Sequence, residues 1–288
     1  MAASTRRTFL KSCGVLAPGL LGLKAVGAEA HETYENHAQG LRIVPGQWRP
    51  HYPFEQIAWI SPSWPSQEYL WLDFPEAIFV GKQLFYLSHV NPAIQSEFSD
   101  LPKVAWQAIP GGIQFERTLP NGIAFGGSLA RKNETTVEME IHLRNGSDRP
   151  LEQITLQTCA YLRAIREFAD YTRDNKFIHH PERGWITMTE ARTLGEGPGP
   201  YRLGWRTKGT RLADLPIVVT TSNVAERLVA MSWLGDTLSL VSNPNHPCMH
   251  ADPQFKNLQA GESGVVRGRL GFFEGPLKDF DHRAFMET

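Results

Sequence analysis

The sequence predicts an all-β protein, an antiparallel β-sandwich that contains one short helix. Apolar and polar residues alternate along several short segments, which is the pattern of a strand with one buried face. Glycine and proline number 25 and 20 and separate these segments with turn signals. The regular succession of strands and helices that a doubly wound fold requires does not occur in the sequence. Together these observations favour packed antiparallel sheets.

The clearest predicted strand covers residues 137–144, where apolar and polar side chains alternate at every position. The next segment, Asn145-Gly146-Ser147-Asp148, predicts a turn, because these residue types tolerate tight backbone bends. A second strand is predicted at 151–156. Further strands are expected, in chain order, at 79–87, 111–115, 228–233, 237–241 and 265–273.

One segment has helical periodicity. Leu162, Ile165 and Phe168 recur three residues apart with charged side chains between them. Residues 161–173 are therefore predicted to form the one short helix.

The N-terminus carries an export pattern. The segment Thr5-Arg6-Arg7-Thr8-Phe9-Leu10-Lys11 precedes a modest apolar stretch, and Ala28-Glu29-Ala30 has the form of a cleavage site. This predicts a twin-arginine (Tat) signal peptide at 1–30, read by the Tat export machinery, and a periplasmic or secreted protein. An anchoring helix is disfavoured, because a span needs about 20 apolar residues and Pro18 and Lys24 interrupt this stretch.

The remaining residues, 31–288, are predicted to form a single domain, with an irregular, proline-dotted lead-in at 31–56. The whole chain has 29 basic and 30 acidic residues. The leader holds four of the basic and one of the acidic residues, so the rest has 25 and 29, a net charge of about −4. Without a basic field, nucleic acid is excluded as a partner. No segment beyond the leader is apolar and long enough to predict a membrane span.

Two cysteines, Cys159 and Cys248, follow the leader. In an oxidising compartment such a pair is a candidate disulfide, which would bring the two segments around it together. If both remain free thiols, Cys159 is available for chemistry. Neither cysteine has the C-x-x-C spacing of a structural zinc site.

Two stretches resemble a known family. Residues 137–162 read VEMEIHLRNGSDRPLEQITLQTCAYL, and residues 245–273 contain Asp252-Pro253 followed by Leu258-Gln259-Ala260-Gly261-Glu262. Both resemble strand pairs of the galactose-mutarotase-like β-supersandwich family. The resemblance implies a supersandwich scaffold with a sugar-sized cleft, and hence a carbohydrate or glycan ligand.

The chain departs from that family at the catalytic positions. Cys159 stands where the family pattern has a catalytic histidine, and Ser239-Leu240-Val241-Ser242 lacks the expected catalytic glutamate. Epimerisation by that His/Glu pair is therefore not expected, and the reaction must be argued from this chain's own residues.

The segment 245–253 concentrates reactive side chains between two prolines. His246 and His250 are candidate general acid–base residues, because an imidazole titrates near neutral pH. Asp252 is a candidate for substrate binding. Two alternatives remain open for this predicted loop. It could bind a metal through His246 and His250, or it could be a structural turn.

A second cluster follows Cys159. Arg163 and Glu167 are candidate catalytic residues, and Arg166 is a candidate for binding an acidic sugar, since guanidinium groups hold carboxylates in two-point contacts. The alternative is a set of salt bridges on a solvated helix.

Aromatic residues supply a third candidate, because flat rings stack on sugar faces. Trp64, between Ser63 and Pro65, is the predicted surface ring. His89 follows a predicted strand and could point into the same cleft, or it could be a hydrogen-bonded residue at the strand end.

The sequence thus supports three hypotheses. The first is an exported carbohydrate-active enzyme, epimerase- or lyase-like, that works by acid–base chemistry. The second is a non-catalytic carbohydrate-binding module, and the third is a metal-loaded periplasmic protein. No phosphate-binding loop, dinucleotide fingerprint, nucleophile elbow or H-E-x-x-H motif occurs to identify a cofactor.

Overall fold

The computed structural model describes residues 40–46, 56–89, 94, 96–98, 101–170, 174–195, 197, 199–204, 211–243 and 246–287. The predicted leader and most of the predicted lead-in lie outside these residues. The strands are β1 (Ile43–Pro45), β2 (Ile57–Ile60), β3 (Leu70–Val80), β4 (Gln83–Leu87), β5 (Gln107–Ile109), β6 (Gly112–Thr118), β7 (Ala124–Arg131), β8 (Thr136–Arg144), β9 (Ile154–Tyr161), β10 (Lys176–His180), β11 (Gly184–Thr187), β12 (Tyr201–Leu203), β13 (Arg211–Ala213), β14 (Ile217–Thr221), β15 (Arg227–Ser232), β16 (Thr237–Ser242), β17 (Cys248–Pro253) and β18 (Ser263–Glu274).

Within the described residues these strands form two sheets of nine strands each. The first sheet has the order β1-β2-β3-β9-β17-β16-β12-β13, with β4 also paired to β3. The second has the order β11-β10-β14-β15-β18-β8-β7-β6-β5. The described strand pairs are antiparallel except for β12 and β16, which are parallel. The predicted all-β antiparallel sandwich is confirmed.

The core lies between the two sheets, where apolar side chains from both are buried. In β8, Val137, Met139, Ile141 and Leu143 are buried while the residues between them are partly or fully exposed, as the alternation predicts. Aromatic contacts join the layers. Tyr86 of the first sheet lies with its ring centroid 5.0 Å from that of Phe125 in the second.

Two turns connect strands that belong to different sheets. The turn after β8 leads from the second sheet to β9 in the first, and the turn after β15 leads to β16 in the same way. Buried Asn145 holds the first of these corners, because its Nδ2 donates to the carbonyl oxygens of Arg149 (2.7 Å) and Leu258 (3.0 Å). Sequential strands here are therefore not hairpin partners.

The predicted helix at 161–173 is wrong over its described part. β9 continues to Tyr161, and only a 3-10 turn, Arg166–Phe168, follows; residues 171–173 lie outside the described residues. The three apolar residues that suggested a helix, Leu162, Ile165 and Phe168, are all buried in the core, but they reach it from this short connection. The described α-helices are α1 (Met188–Thr193) and α2 (His282–Met286).

The lead-in also contains regular structure, since β1 pairs with β2 at the edge of the first sheet. No helix in the described ranges combines the length and the apolar character needed to cross a membrane.

Candidate functional site

Three neighbouring strands of the first sheet, β3, β9 and β17, place a row of functional side chains on one face. Trp71 lies opposite Tyr161, and Tyr161 lies opposite Cys248. One step along the same face, Asp73 lies opposite Cys159. Because directly paired residues point to the same side of a sheet, all five side chains share one surface.

β17 extends this surface through its own alternation. Cys248, His250 and Asp252 occupy every second position, so they point to one face of the sheet. The residues between them, Met249 and Ala251, belong to the core between the sheets. The segment predicted to be a loop is thus mostly a buried strand, and its reactive groups are aligned by the two-residue period.

An irregularity in β3 brings a further carboxylate to the same face. The pairing of β3 with β9 shifts between Asp73 and Ala77. Pro75 lies in this interval and has no N–H to donate to a neighbouring strand. Phe74 turns into the core, where its ring stacks on that of Trp233, while Glu76 lines the outer face.

A cleft of about 200 Å³ opens on this face. The residues that line it are Ile57, Trp71, Asp73, Glu76, His89, Cys159, Tyr161 and His246. Its aromatic wall is continuous: the ring centroids of Trp71 and Tyr161 are 6.1 Å apart, and those of Tyr161 and His246 are 5.7 Å apart. The cleft therefore combines flat apolar rings with carboxylates and imidazoles.

Hydrogen bonds fix two of the polar groups. Ser88 Oγ donates to Asp73 Oδ2 at 2.6 Å, and it also lies 3.3 Å from Nδ1 of His89. On the other side, Nε2 of His246 lies 2.7 Å from Nδ2 of Asn243. These contacts orient the cleft's side chains before any ligand binds.

Beneath the cleft lies a group that we call the thiol–histidine cluster, Cys159, Cys248 and His250. All three are buried, and their ligand atoms lie within 4.8 Å of one another. His250 Nε2 is 3.4 Å from Cys248 Sγ. Its Nδ1 is 3.4 Å from Asp252 Oδ1 and 3.9 Å from Glu76 Oε2. The cluster is thus connected to the cleft through Glu76 and through Cys159.

Burial and mutual charge shift the pKa values in this region. The thiol of Cys159 hydrogen-bonds Cys248, which lowers the pKa of Cys248 well below its usual value and, with burial, raises the pKa of Cys159. Burial lowers the pKa of His250, but the Cys248 thiolate and Asp252 outweigh it, so the net shift is upward. Cys248 and His250 thus shift each other's pKa toward the charged forms, a thiolate and an imidazolium.

Two carboxyl groups, partly buried Glu76 and buried Asp252, have pKa values above their usual range. Burial raises the pKa of Glu76 and of Asp252, and in both cases it outweighs the attraction of His250. Glu76 is thus held closer to its neutral form than an exposed glutamate would be.

Among the residues that the structure describes, two sets of side chains have the composition and spacing to hold a metal ion. One is the thiol–histidine cluster, and the other is Asp73, Glu76 and His89 at the cleft surface. The first offers two soft sulfurs and a nitrogen, whereas the second offers mostly oxygens.

The structure brings together most of the residues predicted around the C-terminal segment. His246 and His89 line the cleft, while His250 and Asp252 lie behind it. Cys159 and Cys248 are adjacent, as a disulfide would require, but both are free cysteines in the structure. The two segments around these cysteines therefore meet through the pairing of β9 with β17, without the bond.

The predicted arginine–carboxylate cluster is not part of the cleft lining. Arg166 pairs with Glu68, with Nε 3.0 Å from Oε1. Glu167 pairs with Arg227, with Oε1 3.3 Å from Nη1. Arg163 is exposed. Arg166 and Glu167 therefore form ion pairs with residues of other segments, and not with each other on a solvated helix.

The prediction that Trp64 is a surface ring is wrong. Its side chain is only 3% exposed and packs edge-on against Phe272, with the ring centroids 5.8 Å apart. The guanidinium of Arg227 covers its ring at 4.7 Å. Trp64 is therefore a core residue and does not contact a ligand in the cleft.

Sequence reasoning missed Asp73 and Glu76 as site residues. A signal was present, because these two acids interrupt the apolar strand 70–80 on either side of Phe74-Pro75. Buried charges in an apolar strand are costly unless they are paired or used. Trp71 and Tyr161 lie 90 positions apart in the sequence, and only strand pairing places them side by side.

Comparison with protein-family models finds no family that matches the chain, and comparison with curated proteins finds no matching relative.

Proposed function

We propose that this protein is an exported carbohydrate-active enzyme that binds a sugar-sized ligand in the cleft and acts on it by proton transfer. The observation that carries the proposal is the pairing of an aromatic wall, Trp71 and Tyr161, with the polar groups of Glu76, His89 and His246 in one opening. Rings of this kind stack on the apolar faces of sugars, and carboxylates and imidazoles bind their hydroxyls.

The proton-transfer groups are Glu76 and His246. Both line the cleft, so both can reach a bound ligand, whereas His250 lies behind Glu76. A carboxyl and an imidazole are the groups most often used for general acid–base catalysis. Glu76 of β3 and His246, just before β17, thus take the place of the catalytic His/Glu pair that the chain lacks at the family-like positions.

The charge of the cleft favours a neutral sugar over an acidic one. Asp73 and Glu76 are both in its lining, and Arg163 and Arg166 are not. A lyase acting beside a uronate carboxylate needs a cation to hold that carboxylate. We therefore place an epimerase-like reaction on a neutral sugar ahead of a lyase-like reaction.

The test is turnover on a panel of neutral mono- and oligosaccharides, followed by NMR for anomer or epimer conversion. Glu76→Gln keeps the shape of the side chain, and His246→Gln keeps a polar side chain of similar length; both remove the proton-transfer capacity. We expect each to lower kcat by about 10²–10⁴-fold. Glu138→Gln, at an exposed position of β8, is the matched control and should retain full activity.

Two outcomes would reject the enzymatic proposal. Unchanged turnover in both variants would remove Glu76 and His246 from catalysis. Sugar binding without any product would instead assign the chain as a non-catalytic carbohydrate-binding module. The export part is tested separately, by N-terminal sequencing of exported protein, which we expect to begin directly after Ala30.

A further inference from the structure

We propose that Cys159, Cys248 and His250 bind one zinc-like divalent metal ion beneath the cleft. This inference goes beyond the proposed function and does not depend on it, because it concerns the side chains behind the cleft and is measured without turnover. Its basis is the mutual spacing of the three donor atoms, which lie within 4.8 Å of one another.

The spacing fits a tetrahedral ion. With zinc–sulfur bonds of about 2.3 Å and zinc–nitrogen bonds of about 2.0–2.1 Å, tetrahedral geometry separates a sulfur from a nitrogen ligand by about 3.6 Å. Cys248 Sγ and His250 Nε2 are 3.4 Å apart. The same bond lengths separate two sulfur ligands by about 3.8 Å, and the Cys159 thiol is within hydrogen-bonding reach of Cys248. Little movement is needed to receive an ion.

The orientation of His250 supports the same role. Its Nε2 faces the sulfur of Cys248, while its Nδ1 faces Asp252 Oδ1 at 3.4 Å. Asp252 is itself positioned by the backbone N–H of Thr158, which donates to Oδ1 at 3.3 Å. A carboxylate on the far nitrogen is the usual arrangement for a metal-binding histidine, because it fixes the tautomer and the direction of the ring.

The donor set selects the class of metal. Two sulfurs and one imidazole nitrogen suit zinc or another thiophilic ion, whereas oxygen-rich sites suit magnesium or calcium. Three protein ligands also leave a fourth position, as in catalytic zinc sites. Cys159 also lines the cleft, so the fourth position can be taken by a ligand in the cleft.

The full chain, purified under reducing conditions, provides the first measurement. We expect about one equivalent of zinc per chain by elemental analysis. Replacing zinc with Co²⁺ should give the absorption of a tetrahedral ion with sulfur-to-cobalt charge-transfer bands. Removing the ion with a chelator should abolish these bands, a readout that requires no variant and so does not depend on variant folding.

Three variants test the ligands: Cys159→Ser, Cys248→Ser and His250→Gln. Each should weaken Zn²⁺ binding by more than the about 10–100-fold loss typical of a group that only supports a ligand. The matched controls are Cys13→Ser, in the predicted leader, and His142→Gln, on the outer face of β8. Both should bind zinc like the original chain.

Several outcomes would overturn the metal site. They are a reduced chain that neither retains zinc nor binds Zn²⁺ in a chelator competition, a cobalt spectrum without sulfur bands, and exported protein that holds a Cys159–Cys248 disulfide and no metal. None of these outcomes bears on turnover by Glu76 and His246, so failure here is distinguishable from failure of the proposed function.

Discussion

Asp252 Oδ1 lies 3.4 Å from Nδ1 of His250, its neighbour two residues earlier on the same strand. The contact is made possible by the alternation of β17, which puts both side chains on the outer face of the sheet. Both are also buried, at 2% and 6% exposure. A buried carboxylate beside an imidazole is costly unless the pair has good geometry, so we assign Asp252 the role of positioning His250.

Asp252→Asn tests this role. The amide keeps an oxygen for the N–H of Thr158 but loses the carboxylate charge, so His250 should bind metal less well. We expect an about 10–100-fold weaker affinity for Zn²⁺, measured by competition with a chromophoric chelator, with the cobalt spectrum still tetrahedral. Asp148→Asn, at a fully exposed turn position, should have no effect. An unchanged affinity in Asp252→Asn would contradict the positioning role.

Trp71→Ala tests the aromatic wall of the cleft. Removing this ring takes away the stacking surface beside Tyr161, so the sugar identified by the turnover assay should bind about tenfold more weakly, or about 1.4 kcal/mol. Calorimetric titration provides the measurement. Trp185→Ala removes a comparable ring from β11 in the other sheet and should leave binding unchanged. Equal losses in both variants would indicate a general effect on folding.

Trp64→Ala should destabilise the fold and leave the cleft intact. The side chain is enclosed by Phe168, Phe272 and Arg227, and truncation of a buried large aromatic residue costs about 3–5 kcal/mol. Denaturant unfolding measures the loss, with Val224→Ala at a 79% exposed position as the control. A loss of sugar binding in a still-folded Trp64→Ala protein would restore the earlier surface hypothesis.

His282 gives a prediction for pH. Burial, then the charge of nearby His179, lowers the pKa of His282 in the folded protein. The unfolded chain therefore binds this proton more readily, and the contribution of His282 to stability is present above its ordinary pKa of about 6.5 and is lost as the pH falls below it. His282→Gln should reduce the drop in melting temperature between pH 7 and pH 5. An identical pH dependence in both proteins would contradict the assignment.

The fold was predictable wherever one face of a strand meets water. The alternation in 137–144 marks β8 correctly, because this strand has one buried and one exposed face. In 265–273 it marks only the first part of β18, since residues 268–272 are all buried. The helix predicted at 161–173 was wrong because the spacing of buried residues did not identify the backbone conformation. The apolar residues of this segment are spaced like those of a helix, but Leu162 and Phe168 reach the core from a connection only a few residues long. Periodicity over so short a window does not separate these cases.

The site was only partly predictable, because it depends on contacts between distant segments. His246, His250 and Cys159 were visible as reactive residue types, and the structure places all three at one cleft or directly behind it. The partnership of Asp73 with Cys159 depends on the pairing of β3 with β9, which no local pattern contains. The prediction for Trp64 was wrong because its neighbours Ser63 and Pro65 suggested an exposed loop, whereas its ring packs against Phe272.

In β17 the site residues occupy the even-numbered positions 248, 250 and 252, and core residues occupy positions 249 and 251. Inserting or deleting one residue directly before Cys248 would exchange the faces of the strand, turning Cys248, His250 and Asp252 inward and presenting Met249 and Ala251 to the cleft. Such a change would remove the chemistry in a single step, and it would also move a buried acid and a buried imidazole from each other's side on the outer face into the apolar core. The register of β17 that would lose the site is therefore also the register that would destabilise the fold.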